Sequence, residues 1–298
     1  MEPLSSGNVP RSRTLSGGPA PLRSGVRHPA FWLFAALYFS GASVYLLAGG
    51  PAALVKPVEF LIGYALILLV AIACTCNAPT PAWAEAAPYG RRQLWLQLGV
   101  ALCFWLLGIS YAFLLSALVQ ALPARYLDFL IAGNVVVLLL LNAVLPLLIL
   151  RRFGVHWSEL GFGRGYRVWL VIGISCLLPL VVLVIQALIG RALADIGGKL
   201  LQTLLQAAFV EEVFYRGILL TRLIRLLGTS WGVVLSALLF GMAHAALNLS
   251  QGTNLAIGLA QMIVAQATFG LVLAILFVRT RNIWAGVVFH ALVDGTGL

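Results

Sequence analysis

Apolar runs long enough to cross a bilayer recur from near residue 31 to the end of this chain, and nothing in the sequence constrains the fold more. Nine can be drawn, at roughly 31–50, 58–76, 93–118, 129–150, 168–190, 200–221, 231–249, 257–278 and 283–297. They are too long and continuous for membrane-barrel strands, which need only about 9–11 alternating residues. Charged residues make up 9% of the chain, against about 25% in a soluble domain. The expected fold is all-α: a polytopic transmembrane helical bundle of about eight to nine spans.

The basic residues orient it. With the amino terminus cytoplasmic, fourteen arginines fall on the inner side, at positions 11, 13, 23, 27, 91, 92, 151, 152, 164, 167, 222, 225, 279 and 281. The outer side receives Lys56, Arg125, Arg191 and Lys199, and Arg216 stays within a span. That asymmetry is the one expected of short-loop membrane proteins. It also explains the net charge of +10 without nucleic acid, since the arginines flank apolar runs where they meet anionic lipid. Trp32, Trp83, Trp95, Trp157, Trp231 and Trp284 lie near the span ends, as interfacial anchors do.

Residues 1–30 hold serine, glycine, proline and arginine without an apolar run, and read as a flexible basic cytoplasmic tail. Residues 31–164 carry four spans without a catalytic motif, and residues 165–298 carry the rest. Between them, Gly154 to Tyr166 reads as a short amphipathic piece on the cytoplasmic face, and Ala246 to Ile257, with Asn248, Gln251 and Asn254, as a polar bend on the far side. Cys74, Cys76, Cys103 and Cys176 have no second pair or nearby histidine to complete a zinc site, and read as small hydrophobes.

Against this background Glu211 and Glu212 stand out, two of only nine acidic residues, adjacent and inside a span. An ionisable group at bilayer depth is costly unless it pairs or faces a polar interior, so it marks a functional site. His244, His290 and Asp294 lie on two later spans. At about 1.5 Å per residue, Glu211 lies roughly 15 Å deep, His244 roughly 20 Å, His290 about 10 Å and Asp294 about 17 Å. All four fall in the middle zone of a hydrocarbon core about 30 Å thick. Glu212 and Arg216 are four apart, as are Phe240 and His244, and His290 and Asp294, so each pair shares a helix face. Neighbouring residues point about 100° apart, so the two glutamates have different tasks. Glu211 is assigned to chemistry, and Glu212 to holding Arg216 or an adjacent polar group. Gly241, Ala243, Ala245, Ala246, Gly270 and Gly286 would let the helices approach closely.

Three stretches carry a resemblance: Glu211-Glu212-Val213-Phe214-Tyr215-Arg216, Phe240-Gly241-Met242-Ala243-His244 and His290-Ala291-Leu292-Val293-Asp294. In order and separation they are similar to the motifs of the CPBP family of intramembrane proteases, which includes type II CAAX prenyl endopeptidases and bacteriocin-processing, Abi-like proteins. The resemblance covers about residues 165–298, the expected protease core. It departs at Asp294, where the prenyl endopeptidases usually carry asparagine. It implies an endopeptidase in which Glu211 and His244 activate a water while His290 and Asp294 face the substrate carbonyl, with Glu212, Arg216 and Phe240 in support. It also implies a peptide or lipidated protein substrate, contact with membrane lipid, and residence in the bacterial plasma (inner) membrane.

Cofactor use is left between none and zinc, with Glu211, His244 and His290 as the ligands a metal would take. There is no H-E-x-x-H, and the metal-free mechanism is preferred. Two other readings stand against the protease: a proton-coupled secondary transporter and a catalytically inactive scaffold of the same fold. The polar groups crowd into the carboxyl-terminal half, which disfavours a transporter of two related halves.

Overall fold

The computed structural model describes residues 27–78, 89–250 and 253–297. Most of the basic tail, with Arg11, Arg13 and Arg23, lies outside these residues, as do Trp83 and Gln251. Every regular element among the described residues is helical.

Each expected span coincides with a helix or a helical run. α1 is Pro29–Gly49, α2 is Val55–Cys74 and α3 is Arg91–Ala121. α4 runs from 127 to 152, with a π-helical segment at Leu140–Val144. α5 (Val168–Ser175) and α6 (Leu177–Leu188) form one apolar stretch bent by 46°. Pro179 in the first turn of α6 has no N–H for the carbonyl of Ser175, which accounts for the bend. α7 is a helical run from 193 to 227 that contains two π segments, Leu204–Ala208 and Glu212–Leu220. α8 is Thr229–Ser250, α9 is Leu255–Thr280 with its own π segment at Met262–Ala267, and α10 is Ile283–Thr296.

Five helices among the described residues are long and apolar enough to cross a membrane, and the α5–α6 pair makes a sixth if taken as one span. α10, at 14 residues, is about 21 Å long and is too short to cross a hydrocarbon core by itself.

The helices are not equally buried. In α9 61% of the most apolar window is enclosed by protein, against 22% or less in α1 to α4. α9 therefore forms the centre, with α8 against one side, α2 against its carboxyl-terminal half and α1 against its start. The apolar side chains of α1 and α2 that remain exposed, such as Phe39, Leu47, Ile62 and Leu66, face outward where lipid would cover them.

Close approach at the centre depends on missing side chains. A Cβ on Gly241 would lie 2.9 Å from the Met262 carbonyl oxygen and from the Ala267 methyl, so α8 and α9 meet backbone to backbone there. A Cβ on Gly286 would lie 2.5 Å from Glu212 Oε2, so α10 can press against α7 only because residue 286 is glycine.

The segment between α4 and α5 is packed more tightly than an interfacial helix would be. Its only helical turn is Trp157–Leu160, and Leu160 is fully buried. Glu159 accepts a hydrogen bond from Tyr89 Oη (2.8 Å) and lies 3.3 Å from Arg222 and 3.0 Å from Arg225 at the end of α7. Asn282 caps α10 by accepting from the Trp284 N–H and donates its amide to the Gly163 carbonyl. This linker therefore fixes the end of α7 and the start of α10, the two helices that carry Glu211 and His290. On the far side α8 continues through Asn248, and Asn254 caps α9, so the polar bend is shorter than the sequence suggests.

Candidate active site

The two adjacent glutamates face different surroundings. Glu212 is completely buried, and its Oε1 lies 2.8 Å from Arg216 Nη1. The same oxygen lies 3.1 Å from His290 Nδ1, so Glu212 joins α7 to α10. Arg216, 1% exposed, also donates to the Gly270 carbonyl at 3.2 Å, and its guanidinium stacks 4.6 Å from the centre of the Phe240 ring. Glu211 keeps 22% of its side chain exposed and lines a cavity of about 200 Å³. Glu211 falls between the two π segments of α7. Such segments, with i→i+5 bonding, locally change the direction of side chains and are frequent at functional sites.

His290 is the meeting point of the acids. Its Nε2 lies 3.3 Å from Asp294 Oδ2 and 3.9 Å from Glu211 Oε2, while Nδ1 faces Glu212. Phe269 and Phe240 pack around the ring at centroid distances of 5.0 and 6.1 Å. A doubly protonated imidazole could donate to Glu212 and Asp294 together.

His244 is held differently. Its Nδ1 lies 2.9 Å from the Phe240 carbonyl oxygen, which can only accept, so Nδ1 carries the proton. In the neutral ring Nε2 then holds the lone pair and can receive a proton. The Phe240 and His244 rings lie 4.5 Å apart, and Phe240 thus touches Arg216, His244 and His290 at once.

Glu211 and His244 line the same cavity. Its opposite wall comes from α3 and α4, through Trp105, Gly108, Tyr111, Asn134 and Asn142. No motif in the sequence assigns those helices a part in a site, yet asparagines inside an apolar run are themselves a signal of the kind used for Glu211. Trp105 donates its indole N–H to the Leu239 carbonyl at 3.0 Å, which ties α3 to α8 one turn before His244.

Of the donors suggested for zinc, Glu211 Oε2 and His290 Nε2 lie 3.9 Å apart. Both His290 nitrogens face carboxylates, and His244 turns Nδ1 to the backbone. Among the described residues no group of three His, Cys, Asp or Glu side chains is arranged to hold a metal ion.

The fold and the site define a helical membrane protein with acids and imidazoles gathered beside an internal cavity. A family model described as Type II CAAX prenyl endopeptidase Rce1-like matches residues 195–296, the segment that contains Glu211, His244, His290 and Asp294. This match supports the resemblance to the CPBP intramembrane proteases. At this level the family implies an intramembrane endopeptidase. Neither the comparison with curated proteins nor that with solved structures found a match.

Proposed function

We propose that this protein hydrolyses a peptide bond within the membrane, with water activated by Glu211 and His244. The observation that carries this reading is the shared cavity: Glu211 and His244 line it together, and Glu211 Oε2 is 3.9 Å from His290 Nε2. A water between Glu211 and His244 Nε2 gives up a proton to one of them as its oxygen attacks the carbonyl carbon. The carbonyl π electrons move onto oxygen to form the tetrahedral oxyanion. Collapse then breaks the C–N bond, and the protonated base returns its proton to the leaving amine. Glu212 at Nδ1 and Asp294 at Nε2 orient the His290 ring, whose Nε2–H is shared between Asp294 and the developing charge.

The bundle has its amino terminus in the cytoplasm and about eight to nine crossings, as the arginine asymmetry indicates. The substrate is a peptide or a lipidated protein that reaches the cavity from the bilayer, and a prenylated carboxyl-terminal segment is one form of it. The protein resides in the bacterial plasma membrane.

The test is cleavage of prenylated and unprenylated peptides by the purified protein in detergent or liposomes, with products identified by mass spectrometry. Glu211→Gln should reduce turnover to background while helicity and elution volume stay unchanged. Full activity in that variant would remove Glu211 from the mechanism. Exhaustive chelation should leave the wild-type rate unchanged, and a loss reversed by added zinc would overturn the metal-free reading.

A further inference from the structure

The four residues assigned to chemistry leave the oxyanion poorly served. Glu211 and Asp294 bring negative charge to the place where more develops. The single N–H of His290 that faces them is already directed at Asp294 Oδ2, 3.3 Å away. A further neutral donor on the cavity wall would supply what is missing.

Asn142 meets that description. It lies in the π segment Leu140–Val144 of α4 and lines the cavity together with Glu211 and His244. No side-chain hydrogen bond engages it among the described residues. Its Oδ1 would lie 3.4 Å from a Cβ on Gly108, so the carbonyl end of the amide is turned towards α3 and the glycine leaves room for it. An amide donates without adding charge, which a second carboxylate could not do. Eight residues earlier, Asn134 lines the same cavity, and its Oδ1 is buried without a partner. The two positions are about 12 Å apart along the helix. That is the length of roughly three to four residues of extended chain.

We propose that Asn142 donates its amide N–H to the oxygen of the scissile carbonyl, and that Asn134 accepts a backbone N–H of the same extended substrate three to four residues away. The amino-terminal helices then form half of the catalytic cleft. This inference rests on the cavity being the site of peptide cleavage.

The experiment compares wild type with Asn142→Ala, Asn142→Ser, Asn142→Asp and Asn134→Ala, all full-length, in the peptide assay above. Thermal unfolding is measured alongside. Asn142→Ala should lower kcat by about 10²–10³ with KM little changed, the size expected for loss of one oxyanion donor. Asn142→Ser should retain part of the rate through its hydroxyl, and Asn142→Asp should lose at least as much as alanine. A phosphinate peptide that imitates the tetrahedral state should bind Asn142→Ala more weakly by a similar factor, while the uncleaved peptide binds Glu211→Gln and Glu211→Gln/Asn142→Ala alike. Asn134→Ala should raise KM. If wild type cleaves and folded Asn142→Ala or Asn142→Ser both keep the full kcat, this inference fails and the assignment of Glu211 stands. If wild type cleaves no peptide and binds no phosphinate, the proposed function falls and this inference with it.

Discussion

Replacing Glu212 with glutamine tests whether the inner glutamate is a scaffold for the outer one. The substitution keeps the volume but removes the charge that neutralises Arg216, which is 1% exposed. At 2.8 Å and an effective dielectric constant near 20, the pair attracts by about 6 kcal/mol before desolvation is counted. Removing one partner of a buried pair leaves the other charge without compensation and costs about 3–5 kcal/mol. The guanidinium would keep its bond to the Gly270 carbonyl and its stacking on Phe240, which places the expected loss towards the lower end. Arg216→Met should cost a similar amount, because it strands the carboxylate instead. The double variant should be destabilised by clearly less than the sum, with a coupling of about 2 kcal/mol or more. Denaturant unfolding in mixed micelles, followed by circular dichroism, measures all three. Costs below about 0.5 kcal/mol for Glu212→Gln, or simple additivity in the double variant, would refute the ion-pair account. The double variant should still cleave poorly, since the Glu212 carboxylate that faces His290 Nδ1 is replaced by a neutral amide.

Two further substitutions test the surroundings of the site. Gly286→Ala should destabilise the fold by about 1–3 kcal/mol and lower peptide turnover, because its methyl would meet Glu212 Oε2 at 2.5 Å and push apart α7 and α10; thermal unfolding and the cleavage assay read the two effects. Glu159→Gln should cost about 3 kcal/mol in denaturant unfolding, since it leaves Arg222 and Arg225 adjacent without their shared carboxylate. The same cluster should weaken at high pH. Burial first, and then the hydrogen bond to Glu159, hold the Tyr89 phenol above its ordinary range. Its contribution is therefore complete below the unfolded tyrosine value of about 10 and is lost as pH rises through the folded one, a dependence that Tyr89→Phe should remove.

Helix positions were legible because each apolar run is interrupted by glycine, proline or arginine close to where its helix ends. Arg91 opens α3, Arg152 closes α4, and Gly228 separates α7 from α8. The i,i+4 spacing of Glu212 and Arg216 gave their proximity directly, and the depth estimate gave the common level of Glu211, His244 and His290. The π segments were not legible, since no residue type marks where one extra residue enters a turn. The partners of Glu159 were hidden for another reason: Tyr89, Arg222 and Arg225 come from separate parts of the chain, and only the docking of the linker brings them together. Asn134 and Asn142 were missed: each is a single polar residue in an apolar run with no charged neighbour in sequence, and only the packing of α3 and α4 against Glu211 and His244 brings them to the cavity.

On the proposed assignment of Glu211 as the reactive acid, the arrangement also gives the two further acids a part. A lone carboxylate facing a small cavity inside a membrane needs a fixed dipole or cation nearby, and in this bundle that cation must be held in place. Arg216 cannot itself face the cavity, because the Glu212 carboxylate, the Gly270 carbonyl and the Phe240 ring enclose it. His290 lies behind the cavity wall, where Glu212 holds one nitrogen and leaves the other turned towards Asp294 and the lining residue Glu211. Glu212 thus spends its charge twice, once on Arg216 to make its own burial tolerable and once on His290 to set the ring. Glu211 and Asp294, with 22% and 42% of their side chains exposed, remain the acids that water can reach. Burial therefore separates the surroundings of the neighbouring glutamates, and Arg216 is the partner that compensates the buried one.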